Sequence, residues 1–146
     1  MERPKNVYEQ WTNISDETVS EWLQPENLEK RNKKTFEGFE LVESIDGRLD
    51  ANVEITLVKI NKEPQYPQHI HKESDAYFIV ISGEAIFITG DERKEVKAGD
   101  RVEVPRGMPH GFELKGKEAL EFISLQSPPI LNTETGENDF HLVDNI

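Results

Sequence analysis

The sequence predicts an all-β sandwich or small barrel with a short helical arm at its N-terminus. Apolar and polar residues alternate over short runs, as in Val53, Ile55 and Leu57 against Asn52, Glu54 and Thr56, which is the period-two pattern of a half-buried strand. Turn signals recur between such runs, at Asp46-Gly47, Ser82-Gly83, Gly90-Asp91 and Gly99-Asp100. Helical spacing is confined to the stretch before Lys34.

A chain of 146 residues is the usual size of one domain and can bury a core without staples. Within it we expect an arm over residues 1–35, a barrel over 36–131 and a tail over 132–146. No cysteine is present, which excludes disulfides, thiolate metal sites and a cysteine nucleophile. The first residues lack the apolar segment of a secretory signal, and no apolar run is long enough to span a membrane, so a cytoplasmic protein is expected. The net charge of -12 argues against nucleic acid as a partner, because binding it requires a basic surface to neutralise phosphates. The most basic run, Lys30-Arg31-Asn32-Lys33-Lys34, reads as a solvated helix end.

In the arm, Ser15 is an N-cap candidate, Asp16 and Glu17 are first-turn acids, and Val19, Trp22 and Leu23 recur at helical spacing. Pro25 suits the first turn of a second short helix, with Leu28 as its apolar contact. The arm has too few apolar residues for its own core, so Trp11 and Trp22 must pack against something else. Phe39, Leu41 and Val42 lead as a strand into Asp46-Gly47. After the 53–57 strand, the loop Lys62-Glu63-Pro64 delivers His69 and His71. Ala76 to Ile81 is apolar on both faces, so it needs cover from a facing sheet on one side and from the arm or a second subunit on the other. Val102 and Val104 alternate with Arg101 and Glu103. Gly90-Asp91 and Gly99-Asp100 read as hairpin turns, Ala119 to Leu125 as the last long strand, and Pro128-Pro129 as its end, because proline cannot join a ladder. Phe140 to Val143 reads as an edge strand.

The candidate chemistry lies between Pro67 and Phe112. His69 and His71, two apart on a strand, point to one side and can close on one ion, and His110 can complete a facial set of three imidazoles. Gly99, Pro105, Gly107 and His110 stand at the spacing G-x5-P-x-G-x2-H, in which a turn glycine and a tight bend set a histidine at the start of a strand. No nucleophile with a base, no paired catalytic carboxylates and no phosphate-binding glycine loop is apparent.

Together these motifs resemble those of the cupin superfamily, H-x-H-x3/4-E-x6-G and G-x5-P-x-G-x2-H-x3-N, over roughly Val53 to Gln126. The resemblance implies a double-stranded β-helix, or jelly roll, with a metal in the barrel mouth held by His69, His71 and His110. Gly83 matches the glycine that ends the first motif. This chain departs from the pattern where the family's glutamate ligand falls on Ala76 and its asparagine on Leu114. Glu73, in the loop after His71, is the candidate replacement carboxylate. Asp75 has the opposite parity to Ala76 and faces away. Phe78 and Val80 share the face of Ala76, and Phe112 that of His110, so these three are expected to line a mostly apolar cup, with Tyr77 packing outside.

Three neutral imidazoles without a carboxylate suit one divalent transition metal such as Fe, Ni or Zn better than a hard ion. By resemblance to cupins with three-histidine iron sites, an Fe(II)-dependent dioxygenase acting on a small organic ligand is expected. The alternatives are a non-catalytic small-molecule or metal-binding module, and a sugar isomerase or epimerase, for which no acid/base pair can be named. A homodimer is expected from the doubly apolar Ala76 to Ile81 strand and the two tryptophans of the arm.

Overall fold

The computed structural model describes residues 7–29, 34–36, 39–45, 53–60, 65–115, 118–127 and 141–142. They form two short helices, α1 (Val7–Thr12) and α2 (Asp16–Trp22), a 3₁₀ turn at Pro25–Asn27, and strands β1 (Leu28–Glu29), β2 (Lys34–Phe36), β3 (Phe39–Ile45), β4 (Glu54–Ile60), β5 (Gln65–Ile70), β6 (Asp75–Ser82), β7 (Glu84–Thr89), β8 (Glu92–Lys97), β9 (Arg101–Val104), β10 (His110–Leu114), β11 (Leu120–Ser127) and β12 (His141–Leu142). The strands make a seven-stranded sheet in the order β1-β3-β4-β11-β6-β9, with β2 also on β3, and a five-stranded sheet in the order β12-β5-β10-β7-β8. All pairings are antiparallel. This is the expected jelly roll.

Two of the crossings between the sheets are made at glycine turns. β6 and β7 belong to different sheets, and so do β8 and β9, so Gly83 and Gly99 mark crossings. Gly99 was expected to close a hairpin; instead its N–H donates to the Val80 carbonyl, and the Val80 N–H donates to Asp100, which stitches the turn onto β6. Gly90-Asp91 does close the hairpin between β7 and β8. At Gly83, φ is 89° and an added Cβ would lie 2.4 Å from the Ala119 carbonyl oxygen, so both the left-handed backbone and the close approach require glycine.

The core has two layers. Between the sheets pack Val58, Ile60, Ala76, Phe78, Val80, Ala85, Phe87, Val96, Val102, Val104, Phe112, Leu120 and Phe122. On the outer face of the seven-stranded sheet, Ile55, Tyr77, Ile79, Ile123 and Leu125 pack against Trp11, Val19 and Trp22 of the arm. β6 is therefore covered on both sides, as its sequence demanded, and the outer cover is the arm. Trp11 and Trp22 are 1% and 4% exposed, and Trp11 and Tyr8 stack around Tyr77. The homodimer expectation rested on this strand and these tryptophans, and both are satisfied within the chain.

The arm is fixed by its cap and by one arginine. Ser15 accepts a hydrogen bond from the Thr18 N–H, as expected of an N-cap. Arg101 on β9 pairs with Asp16 at 3.2 Å and reaches the carbonyls of Trp11 and Thr12, where α1 ends. α1 itself has no strong sequence signal.

Several local expectations change. Pro25 opens a 3₁₀ turn rather than a second helix, and Leu28 begins a strand, so the basic run follows a strand rather than a helix. Of that run, residues 30–33 lie outside the described residues, as do Asp46-Gly47 and Lys62-Glu63-Pro64. Strands β1 and β2 join the sheet from within the expected arm, and β12 joins the five-stranded sheet from within the expected tail, pairing with β5 as the expected edge strand. The largest change is in β4. Val53, Ile55 and Leu57 were expected to face the core, with Glu54 and Thr56 toward solvent. They face the arm instead, while Thr56, Val58 and Ile60 face the barrel interior, so β4 too is covered on both sides.

Candidate metal centre

His69 and His110 face each other across the β5–β10 ladder. A bulge brings them into register. Tyr66 pairs with Phe112 and His69 with His110, so Pro67 and Gln68 together oppose Gly111 alone. Proline has no N–H to lose there. Without the extra residue, Gln68 would sit across from His110. Gln68 instead exchanges hydrogen bonds with the backbone of Gly90 at the turn between β7 and β8.

His71 follows just beyond β5 and joins the pair from the loop. The ring centroids lie 4.1 Å apart for His69 and His110, 4.9 Å for His71 and His110, and 5.0 Å for His69 and His71. One nitrogen from each ring falls within 4.8 Å of the others. All three are buried, at 0%, 4% and 0% exposure for His69, His71 and His110.

The loop that delivers His110 is clamped to the one that follows His71. Gly107 donates its N–H to the His71 carbonyl at 2.8 Å from a left-handed backbone, φ 77°. Arg106 donates its N–H to Asp75 Oδ1 at 3.0 Å and its guanidinium to Oδ2 at 3.2 Å. Asp75 does face away from the barrel interior, and this clamp is what it serves.

The protonation state of His110 follows from its partners. Its Nδ1 lies 3.0 Å from the Met108 carbonyl, which can only accept, so Nδ1 carries the proton. That leaves the lone pair on Nε2, which is buried and has no hydrogen-bond partner among the described residues. Burial first, then the neighbouring His69 and His71, hold its pKa well below the usual histidine value, against a smaller opposing effect of the Met108 carbonyl. A ring kept neutral, oriented through Nδ1 and left with an orphaned Nε2 among two other imidazoles is the donor arrangement a transition metal requires.

The remaining expected site residues divide. Glu73 is exposed and does not join the group of three. Ala76 is fully buried on the inner face. Phe78, Val80 and Phe112 are 3%, 2% and 1% exposed, and they form a packed floor rather than the lining of an open cup. Phe78 lies 5.8 Å from the His110 ring, and Phe87, not foreseen, lies 6.4 Å from it. A groove of about 740 Å³ opens elsewhere, lined by Thr12, Tyr77, Arg93, Arg101 and Glu103 among others, and contains none of the histidines.

Sequence reasoning missed a polar row inside the barrel. On β11 the inner face runs Leu120, Phe122, Ser124, Gln126, and on β4 it runs Ile60, Val58, Thr56, Glu54, each paired in that order. Ser124 is also paired with Phe78, and Gln126 with Ala76, on the other neighbour, β6. Thr56, Ser124 and Gln126 are buried at 3–4% exposure. The signal was present in β11, where two polar residues replace apolar ones on the face that Phe122 defines.

Comparison with known proteins agrees with this architecture. Residues 56–126 match the family model described as Cupin domain. An uncharacterized protein of Aquifex aeolicus is 29% identical over 100 residues, 61% of this chain and 79% of that one. The quercetin 2,3-dioxygenase of Bacillus subtilis is 29% identical over 71 residues, which are 48% of this chain and 21% of that enzyme. Among solved structures, Streptomyces PAC13 with uridine matches with a TM-score of 0.59 over 83% of this chain and 88% of that one, at 18% identity.

Proposed function

From the match of residues 56–126 to the cupin domain model, we propose that this chain holds one divalent transition metal through His69, His71 and His110 and binds a small organic ligand there. The observation that carries this is the convergence of three buried imidazoles, with His110 held neutral and its Nε2 left without a partner among the described residues. The donor set is nitrogen only, so Fe, Ni or Zn suits it better than Mn or Mg. Bound there, such an ion supplies an electrophilic centre with open positions for ligand and, when it is iron, for dioxygen.

We favour an Fe(II)-dependent dioxygenase, supported by the partial likeness to quercetin 2,3-dioxygenase. In that reading the histidines hold the ion, Ala76 leaves room beside it, and the floor of Phe78, Val80 and Phe112 excludes water from below. A non-catalytic metal- or ligand-binding module is the second reading, favoured by histidines almost without solvent exposure over a packed aromatic floor.

Elemental analysis of protein purified without an affinity tag or chelator tests the metal. Oxygen uptake by the Fe(II)-loaded protein with candidate diketones or thiols, beside the His110→Ala variant, then separates enzyme from binder. Equal rates in both proteins would exclude catalysis at this site.

A further inference from the structure

Gln126 is 4% exposed, and its amide is used at one end only. Its Nε2 donates to the hydroxyl of Ser124, two residues before it on the same face, and lies 3.4 Å from the hydroxyl of Thr56 on β4. Its Oε1 is buried with no hydrogen-bond partner among the described residues. Two hydroxyls thus anchor one end of the amide and leave its Oε1 over, and a buried polar atom without a partner calls for an explanation.

The place of this acceptor gives it meaning. Gln126 is the rung partner of Ala76, and Ser124 that of Phe78, whose ring lies 5.8 Å from His110. The next rung pairs Ser127 with Asp75, the residue that clamps the loop delivering His110. The orphaned oxygen therefore stands beside Ala76, one rung from the Asp75 clamp on the loop that delivers His110. An inward-facing acid, Glu54, is paired with Gln126 on its other side.

We propose that Gln126, positioned by Ser124 and Thr56, is a specificity-determining residue for the ligand at the histidine centre: its Oε1 accepts a hydrogen bond from an N–H or O–H group adjacent to the ligand's metal-binding oxygen. The ligand class is an oxygen chelator with a donor beside its chelating atoms, as in hydroxamates and α-hydroxycarbonyl compounds. Gln126 reads the ligand from the rung it shares with Ala76. This rests on the metal-binding reading above.

The test uses the Co(II)-loaded, untagged protein and its visible spectrum, titrated with acetohydroxamate and with N-methylacetohydroxamate, which chelates alike but lacks the N–H. Wild type should bind acetohydroxamate tighter by about tenfold, the scale of one hydrogen bond. In Gln126→Leu the preference should vanish while Co(II) affinity stays within about threefold of wild type, and Gln126→Glu, which keeps an acceptor, should restore it. Gln126→Ala serves the same purpose if the leucine variant does not fold. An equal preference in wild type and the apolar variants, or binding of neither hydroxamate to the Co(II) protein, overturns the proposal. So does loss of Co(II) from the apolar variants, which would make Gln126 a donor to the ion itself. Failure of wild type to bind Co(II) at all would instead strike the metal-binding reading.

Discussion

His69 stands directly across from His110 because β5 carries one residue more than β10 between that pair and the Tyr66–Phe112 pair. The bulge does on β5 what a side-chain change could not: it turns the strand by one residue just before the metal-binding pair. Each of His69→Ala, His71→Ala and His110→Ala should lower metal affinity by more than the roughly 10- to 100-fold typical of losing an outer partner. The fold should survive, since the core lies between and outside the sheets and does not depend on the ion. Metal content by elemental analysis, with circular dichroism on the same samples, checks both parts. Full metal retention in all three variants would sink the site.

The depressed pKa of His110 makes the metal-free protein less stable in acid. The unfolded chain takes up a proton at about pH 6.5, the folded chain only at lower pH, so between the two values the unfolded state binds more protons. This contribution to stability is complete above about pH 6.5 and falls away as the pH drops toward the folded value. Urea midpoints of the metal-free protein should decline from about pH 7.5 to about pH 5.5, and His110→Gln should flatten the decline. An unchanged slope in the variant would place the responsible group elsewhere. For metal binding, proton competition at His110 likewise begins below the ordinary histidine pKa.

Trp11→Ala should cost about 3–5 kcal/mol, the usual loss for a truncated buried aromatic. It also removes the cover over Tyr77 and Ile79, which are 2% and 4% exposed beneath the arm. Sedimentation velocity should then show more self-association than wild type at the same concentration. A wild-type dimer at micromolar concentration would mean that some other face than this one holds two copies together.

The fold was legible where pattern meets period. The N-cap at Ser15, the doubly covered β6, the outward Tyr77 and the inward Val102 and Val104 all follow from residue type and spacing. The three histidines were legible too, because two motifs place them on, or just past, the neighbouring strands β5 and β10. What escaped was phase. Val53, Ile55 and Leu57 form a convincing apolar face, but β4 has a second buried face, and alternation alone cannot say which one meets the barrel. The polar row of Thr56, Ser124 and Gln126 was hidden by that choice. Glu73 was a plausible ligand by proximity in sequence, yet it lies exposed in the His71–Asp75 connection, where spacing fixes no direction.

Asp75 and Arg106 should act on the metal through the loop they join. Arg106 is 37% and Asp75 16% exposed at the side chain, so their ion pair contributes little to global stability, on the order of 1 kcal/mol or less. Its effect is local, because it holds the turn that sets His110 opposite His69. Asp75→Asn and Arg106→Ala should each weaken metal binding by roughly 10-fold, as outer partners do, with a urea midpoint close to that of wild type. A parallel loss of stability and metal affinity would show that the clamp holds the fold rather than the site.

Ala76→Glu should favour hard ions. Ala76 is fully buried on the inner face, with Gln126 and Val104 as its rung neighbours, so a longer side chain there projects toward the histidine end of the barrel. A carboxylate adds a hard oxygen and a negative charge to three neutral imidazoles, which helps Mn(II) more than Zn(II), an ion already suited by nitrogen donors. Calorimetry should find Mn(II) binding strengthened by about tenfold or more and Zn(II) binding changed by clearly less. The added bulk has a cost of its own, about 1–3 kcal/mol for overpacking a buried position, so the urea midpoint is measured alongside. Should that cost unfold the variant, Gln126→Ala on the same chain removes the bulk of the rung partner. A folded variant with no gain for Mn(II) would mean that a side chain at position 76 does not reach the ion.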